Sequence, residues 1–241
     1  KEVADHALEE SNKYQAIATS LDADLSRIIS LQFNKAITSD NFDEAERTIE
    51  SLVEHEAPQL DISASRISLH LAKAAQAKKR GQLDVYNTHT SKALTIAEQM
   101  IKDYSISDFA WRAYGRVLFE MKEIEEATKA YEEAHRISPK DKENIRSYVA
   151  ALAQQQDSSQ RLLRVLRTAK DQYPTDRQIR MGWLEAERLF GEPWKVLVYR
   201  MNQIIMAPGD RVNGLELAYL LSNTQPTRDL IRDINGKEMK V

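Results

Sequence analysis

Between Asp108 and Asp141 the chain reads DFAWRAYGRVLFEMKEIEEATKAYEEAHRISPKD, and its apolar and small residues fall three or four positions apart. Trp111, Tyr114, Gly115 and Leu118 form one set, and Ala127, Tyr131 and Ala134 another. That spacing lays each set along one side of an α-helix, with charged residues on the other side. Two helices are predicted, the second opening on Glu123-Ile124-Glu125-Glu126, whose carboxylates complement the helix dipole. Pro139 has no N–H and cannot continue a helix interior, so it marks the turn that follows. Gly115 and Ala127 are expected where the two helices press closest, because only small side chains fit there while larger neighbours fill the gaps.

The punctuation recurs. Pro174 follows Pro139 by 35 residues, and Pro208 follows Pro174 by 34. The first of these units carries Tyr148, Leu152, Leu162, Leu166 and Ala169, with a turn at Gln156-Asp157-Ser158-Ser159 whose Asp and Ser suit a helix N-cap. The second carries Trp183 and a turn at Gly191-Glu192-Pro193, where Pro193 fits the first position of a helix. A partial unit follows from Arg211, with Leu215, Leu217, Ala218 and Leu221 on one helix, Pro226 opening a short second one and Asn235-Gly236 ending it.

Upstream, Asn41-Phe42-Asp43-Glu44-Ala45 opens a second helix, preceded by Ile29, Phe33 and Ala36 and followed by Ile49 and Leu52. Residues 59–107 make a longer hairpin, with helices near 62–80 and 83–103 joined at Gly81-Gln82. From Ala57 to Ser105 this unit spans 48 residues, 14 more than a 34-residue repeat. Seven residues are close to two helical turns, so adding about that many to each helix keeps the same face buried. Residues 1–21 read as one further helix.

The arrangement Trp111-x₂-Tyr114-Gly115-x₂-Leu118, then Ala127-x₃-Tyr131, then Pro139, resembles the tetratricopeptide repeat, differing from its pattern only in which large residue stands at three positions. Leu184 stands where that pattern has Gly, so the 176–209 unit departs from it further. The resemblance implies an all-α fold, a right-handed α-solenoid of antiparallel helix hairpins. It implies a single such domain over 1–241: an N-terminal helix 1–21, a divergent repeat 22–58, the long hairpin 59–107, the clear repeat 108–141, similar repeats 142–175 and 176–209, and a partial repeat and tail 210–241. Neighbouring hairpins would supply one another's core, with no single globular centre.

Composition removes several kinds of chemistry. A net charge of −3 and a pI near 6.0 supply no general attraction for nucleic acid, and no apolar run approaches the roughly 20 residues of a membrane span. With no cysteine there is neither a disulfide frame nor a thiol nucleophile. His6, His55, His70, His89 and His135 lie far apart and show no zinc-helix pairing, and no glycine-rich phosphate loop or nucleophile elbow is present. The chain is expected to be no enzyme and to hold neither cofactor nor metal. Trp111, Tyr114 and Tyr131 are expected to serve packing, and Trp194 to stand partly exposed. The sequence opens on Lys1 rather than Met, so an upstream stretch is expected, and cytoplasm and periplasm fit equally.

In tetratricopeptide proteins the inner groove is lined by the first helix of each pair. The resemblance places Arg112, Arg116 and Phe119 there, followed by Arg146, Ala150 and Gln154, and then Met181, Glu185 and Arg188. Arg112, Arg116 and Arg146 would make a basic patch for a carboxylate or an acidic peptide, unless neighbouring Glu and Asp pair with them. Some family members clamp an acidic chaperone tail with Lys and Asn. Here Arg112, Arg116, Ser147, Glu143 and Gln178 stand at those positions, so the clamp is not expected. The leading expectation is a scaffold that binds a partner protein or peptide of acidic character. A spacer or self-associating section of a longer array, or the non-catalytic repeat region of a larger enzyme or export machine, are the rival expectations.

Overall fold

The computed structural model describes residues 28–206 apart from Gln156 and the side chains of Pro193 and Ile204; the helix expected over 1–21, the start of the 22–58 repeat and the partial repeat 210–241 lie outside these residues. Every regular element among the described residues is an α-helix: α1 (28–38), α2 (Phe42–Glu54), α3 (Gln59–Lys79), α4 (Leu83–Asp103), α5 (Asp108–Glu120), α6 (Ile124–Ile137), α7 (Lys142–Leu152), α8 (Ser159–Gln172), α9 (Arg177–Phe190) and α10 (Pro193–Met206). The fold is all-α, of the helical-hairpin solenoid class. By internal packing the chain divides after Pro139 into two compact units, with α1 to α6 in the first and α7 to α10 in the second.

In the first unit each hairpin borrows core from the next. Ile29, Phe33 and Ala36 of α1 and Ala45, Ile49 and Leu52 of α2 are buried together with Ile62 and Leu69 of α3. Ile67 and Leu71 on α3 then join Ala93, Ala97 and Met100 of α4 and Ala110 and Val117 of α5. The 21-residue α3 thus packs one set of residues against α1 and α2 and an interleaved set, on another face, against α4 and α5. Continuity of the core comes from that sharing.

One backbone device closes the hairpins. The residue just before the second helix's N-cap adopts a left-handed conformation in four of them: Asp40 (φ 54°), Gly81 (φ 71°), Lys122 (φ 70°) and Asp157 (φ 60°). Only at Gly81 is the side chain absent that makes this conformation costly. N-caps reinforce several helix starts: Asn41 accepts from the Glu44 N–H at 3.3 Å, Ser107 from Ala110 at 3.3 Å, and Asp141 from Asn144 at 2.8 Å. The expected N-cap at Ser158 takes another form: its hydroxyl donates to the carbonyls of Leu152 and Gln155, fastening the turn back onto α7 instead of capping α8.

In the clear hairpin, Gly115 of α5 faces the Tyr131 ring of α6, where a Cβ would stand 2.8 Å from two ring carbons. The close approach expected between Gly115 and Ala127 is therefore made by Gly115 with Tyr131, while Ala127 is fully buried. Burial drives the Tyr131 hydroxyl's pKa up to about 12. Trp111 is half-buried, its indole N–H donating to the Ser105 carbonyl at 2.8 Å and its ring edge-on to Tyr114.

The long hairpin also holds an uncharged histidine pair. His70 on α3 and His89 on α4 bring their Nδ1 atoms to 3.1 Å, so one must donate and the other accept. Burial first, then the positive charges of a protonated His89, of Lys92 and of Lys73, outweigh Glu46 and bring the His70 pKa down to about 4; burial and the same lysines lower that of His89. As pH falls from the ordinary histidine range toward 4, the unfolded chain takes up protons that the folded pair refuses, so stability declines over that window. Thermal unfolding at pH 7 and pH 5 should show that loss, and His70→Gln with His89→Gln should reduce it. An undiminished pH dependence in the double variant would contradict this account.

Candidate partner-binding site

The first helices of the hairpins in the first unit, α1, α3 and α5, meet at an open recess of about 180 Å³ lined by Ser30, Asn34, Asp61, Ser65, Ser68 and Phe109, among others. Its lining comes from helical spacing: Ser30 and Asn34 lie four apart on α1, and Asp61, Ser65 and Ser68 lie four and three apart on α3, on a face distinct from buried Ile62, Ile67 and Leu69. The Asn34 amide and the Ser65 and Ser68 hydroxyls on such a face are donors and acceptors for a ligand.

Two arginines of α5 border this recess. Arg116 is exposed and reaches Ser68 Oγ at 3.4 Å from Nη1, a weak contact, with no carboxylate partner among the described residues. Arg112 lies over the Phe109 ring, 5.4 Å from its centroid. Phe119, expected on the same face, is half-buried with its ring 6.4 Å from that of Tyr131 and Lys122 over it, so it packs toward α6.

The second unit is differently charged. Arg146 donates to Glu143 and to Asp176, each at 2.8 Å, and Lys142 stands 3.2 Å from the same Asp176 carboxylate. Asp176 is also the N-cap of α9, accepting from Gln178 and Ile179. The Ile179 N–H first, and then Lys142 and Arg146, bring its pKa down to about 2. Arg146 is therefore a tie between α7 and the start of α9, and its charge is already met. Arg188 pairs with Glu185 one turn away, at 2.5 and 3.0 Å. Gln154 falls in the turn beyond α7, not on a first helix, and is exposed. Met181 is 40% exposed on α9.

Beside Arg146, a second open cavity of about 180 Å³ is walled by Ile145 and Val149 of α7, Leu166 of α8 and Ile179 of α9, with Ala150 and Gln178 at its exposed side. Neither lining was legible from repeat positions alone, apart from Arg146, Ala150 and Gln178. The signal that would have found the first recess is the stripe of serines and Asn at helical spacing on first helices, where a solvated face ordinarily carries charge.

A buried polar cluster outside these faces holds the last described hairpin. Glu187 is fully buried, its carboxylate accepting from Arg167 Nε at 2.6 Å and Nη2 at 2.9 Å, from the Trp183 indole N–H at 3.0 Å and from the Glu192 backbone N–H at 3.0 Å. Arg167 above all, with the Glu192 and Trp183 donors, brings the Glu187 pKa down to about 2. The cluster explains Gly191: a Cβ there would collide with the Glu187 carboxylate and stand 2.9 Å from Leu163 Cδ2. Among the described residues no helix is long and apolar enough to cross a membrane.

Residues 108–141 match the family model of the tetratricopeptide repeat. No curated protein matches the chain in sequence. Among solved structures, a tetratricopeptide repeat protein from Parabacteroides merdae superposes with a TM-score of 0.52 at 14% identity, over 81% of this chain and 72% of its own. Yeast Tom70 gives 0.56 at 13% identity, over 95% of this chain and 46% of its own. The Naa15/Naa10 structure bound to HypK-THB gives 0.51 at 18% identity, over 77% of this chain and 25% of its own. The chain thus spans under half of the last two. In motif at 108–141, and in fold along most of its length, it is similar to tetratricopeptide repeat proteins.

Proposed function

We propose that this chain is a protein-interaction scaffold in which both units are parts of one array of repeats, and that it holds an extended or helical segment of a partner protein without chemistry of its own. The observation that carries this reading is the open recess between α1, α3 and α5, lined with Ser and Asn and bordered by Arg116, a guanidinium without a carboxylate partner among the described residues. A partner carboxylate beside the recess would complete a charge-assisted pair at Arg116 and accept from Ser68. Asp61 in the lining favours a segment that carries donors as well. The repeat fold supports the general class, and among its structural relatives the Naa15/Naa10 structure has HypK-THB bound.

Arg112→Glu with Arg116→Glu should weaken binding of an acidic segment by roughly 2–5 kcal/mol, since it replaces attraction by repulsion at the same place. Titration of a partner against wild-type and variant chains checks this. Unchanged affinity would exclude the α1/α3/α5 face.

One observation favours a self-associating section instead. On α10, Trp194, Val198, Met201 and Ile205 are 55%, 46%, 48% and 70% exposed and share one helix face. If this face pairs with a second copy, light scattering should show the dimer fraction rising with concentration, and Val198→Glu with Met201→Glu should abolish it. A wild-type mass that stays monomeric at every concentration would remove this reading.

A further inference from the structure

The two units call for different ligand chemistry. Resting on the scaffold reading above, we infer that the cavity between α7, α8 and α9 is a pocket for one aliphatic side chain, leucine or isoleucine, from an uncharged stretch of the bound segment. Its walls are the hydrocarbon of Ile145, Val149, Leu166 and Ile179. The charges at its margin are paired: Nη1 and Nη2 of Arg146 meet Glu143 and Asp176, and Lys142 meets Asp176, so these two cations face two carboxylates, while the buried Arg146 Nε has no hydrogen-bond partner among the described residues.

An incoming carboxylate would have to compete with Asp176 for Arg146 while losing water against four aliphatic walls. A charged group pays heavily for such a transfer, and an apolar one gains from it. The basic patch expected from Arg112, Arg116 and Arg146 therefore does not extend to Arg146 as a source of free charge.

Size agrees with this occupant. A cavity of about 180 Å³ is of the scale that holds one benzene-sized apolar body, roughly 150 Å³ in an engineered dry cavity. The cavity also opens outward, with Ala150 and Gln178 exposed at its edge, so a side chain can enter without the helices separating. Met181 lies one turn beyond Gln178 on α9 and is exposed, adding adaptable apolar surface along the same helix face. Arg188, paired with Glu185, brings no uncompensated charge to that helix.

The test is selection of a random-peptide phage library on the full chain, followed by binding titrations of the selected synthetic peptides. Selected peptides should share a leucine or isoleucine at one fixed position. Changing that residue to alanine should weaken binding by about ten- to a hundredfold. Filling the cavity from its exposed side, by Ala150→Phe or separately by Gln178→Trp, should weaken the parent peptide to a similar degree, in proteins whose circular dichroism melts match wild type. Two filling variants guard against one of them failing to fold.

Peptides with an acidic residue at the fixed position, or leucine peptides that bind both folded filling variants at full strength, would overturn the pocket. Peptides sensitive to Arg112→Glu with Arg116→Glu but indifferent to filling would overturn the pocket and leave the scaffold reading standing. A library that yields no binder would count against both.

Discussion

Valine in place of Gly115 should destabilise the first unit by about 1–3 kcal/mol, the cost of forcing extra atoms into a filled core. The obstacle is specific. A Cβ at Gly115 stands 2.8 Å from Cδ1 and Cε1 and 3.2 Å from Cγ of Tyr131, whose ring is buried and has Phe119 beside it. Alanine meets the same ring but regains about 0.5–1 kcal/mol of helix propensity, so Gly115→Ala should cost less than Gly115→Val. If the ring is the obstacle, the valine penalty should shrink in a Tyr131→Ala background, because the two positions touch and their effects do not add. Urea denaturation of the four proteins in that cycle measures it, and equal penalties in both backgrounds would show that the ring is not what Gly115 accommodates.

Removing the Glu187 carboxylate should cost about 3 kcal/mol in the second unit, at the low end of what breaking a buried ion pair costs, because Arg167 remains 40% exposed and can be rehydrated. In Glu187→Ala the buried Trp183 indole N–H and the Glu192 N–H both lose their acceptor. The two donors use different oxygens, so Glu187→Gln keeps an acceptor for one of them, sets an amide NH₂ against the other, and should be only partly milder than alanine. The pH behaviour separates the charge from the shape. Since the folded pKa is depressed to about 2, the carboxylate's contribution is complete above the ordinary glutamate range near 4.3 and is lost as pH falls toward 2. Arg167→Met removes the largest cause of that depression, so acid should weaken this variant less steeply than wild type. Parallel acid denaturation curves would contradict the assignment.

These two sites differ in how much the sequence reveals of them. Gly115 lies within a spaced set with Trp111, Tyr114 and Leu118, and a glycine inside a helical pattern asks for a close neighbour, so its role is legible even though its neighbour proves to be Tyr131. Glu187 looks like one more solvated charge between Glu185 and Arg188. Only its place four residues after Trp183, whose indole needs an acceptor when buried, hints otherwise. The partner that fixes its state, Arg167, comes from a different helix 20 residues away, and no local rule reaches that far.

Turn chemistry shows the same division. Gly81 announces a left-handed turn, but Asp40, Lys122 and Asp157 adopt the same conformation with ordinary side chains, under the demand of the hairpin closures around them. At the candidate faces, helical spacing identifies which helix carries Arg112, Arg116 and Arg146. It cannot show that Arg146 is held by the N-cap residue of α9 while Arg116 meets only a serine hydroxyl. Free and satisfied cations look alike in a sequence.

The central proposal is that the face of α1, α3 and α5 in the first unit, and not the exposed side of α6, receives a partner. A photo-reactive residue placed at position 116 on α5 or, in a second protein, at the exposed position 129 on α6 compares the two faces in cell extract. The account predicts a discrete adduct from position 116, diminished by Arg112→Glu, and none from position 129. Adducts from position 129 alone, or from both positions without regard to Arg112, would contradict it.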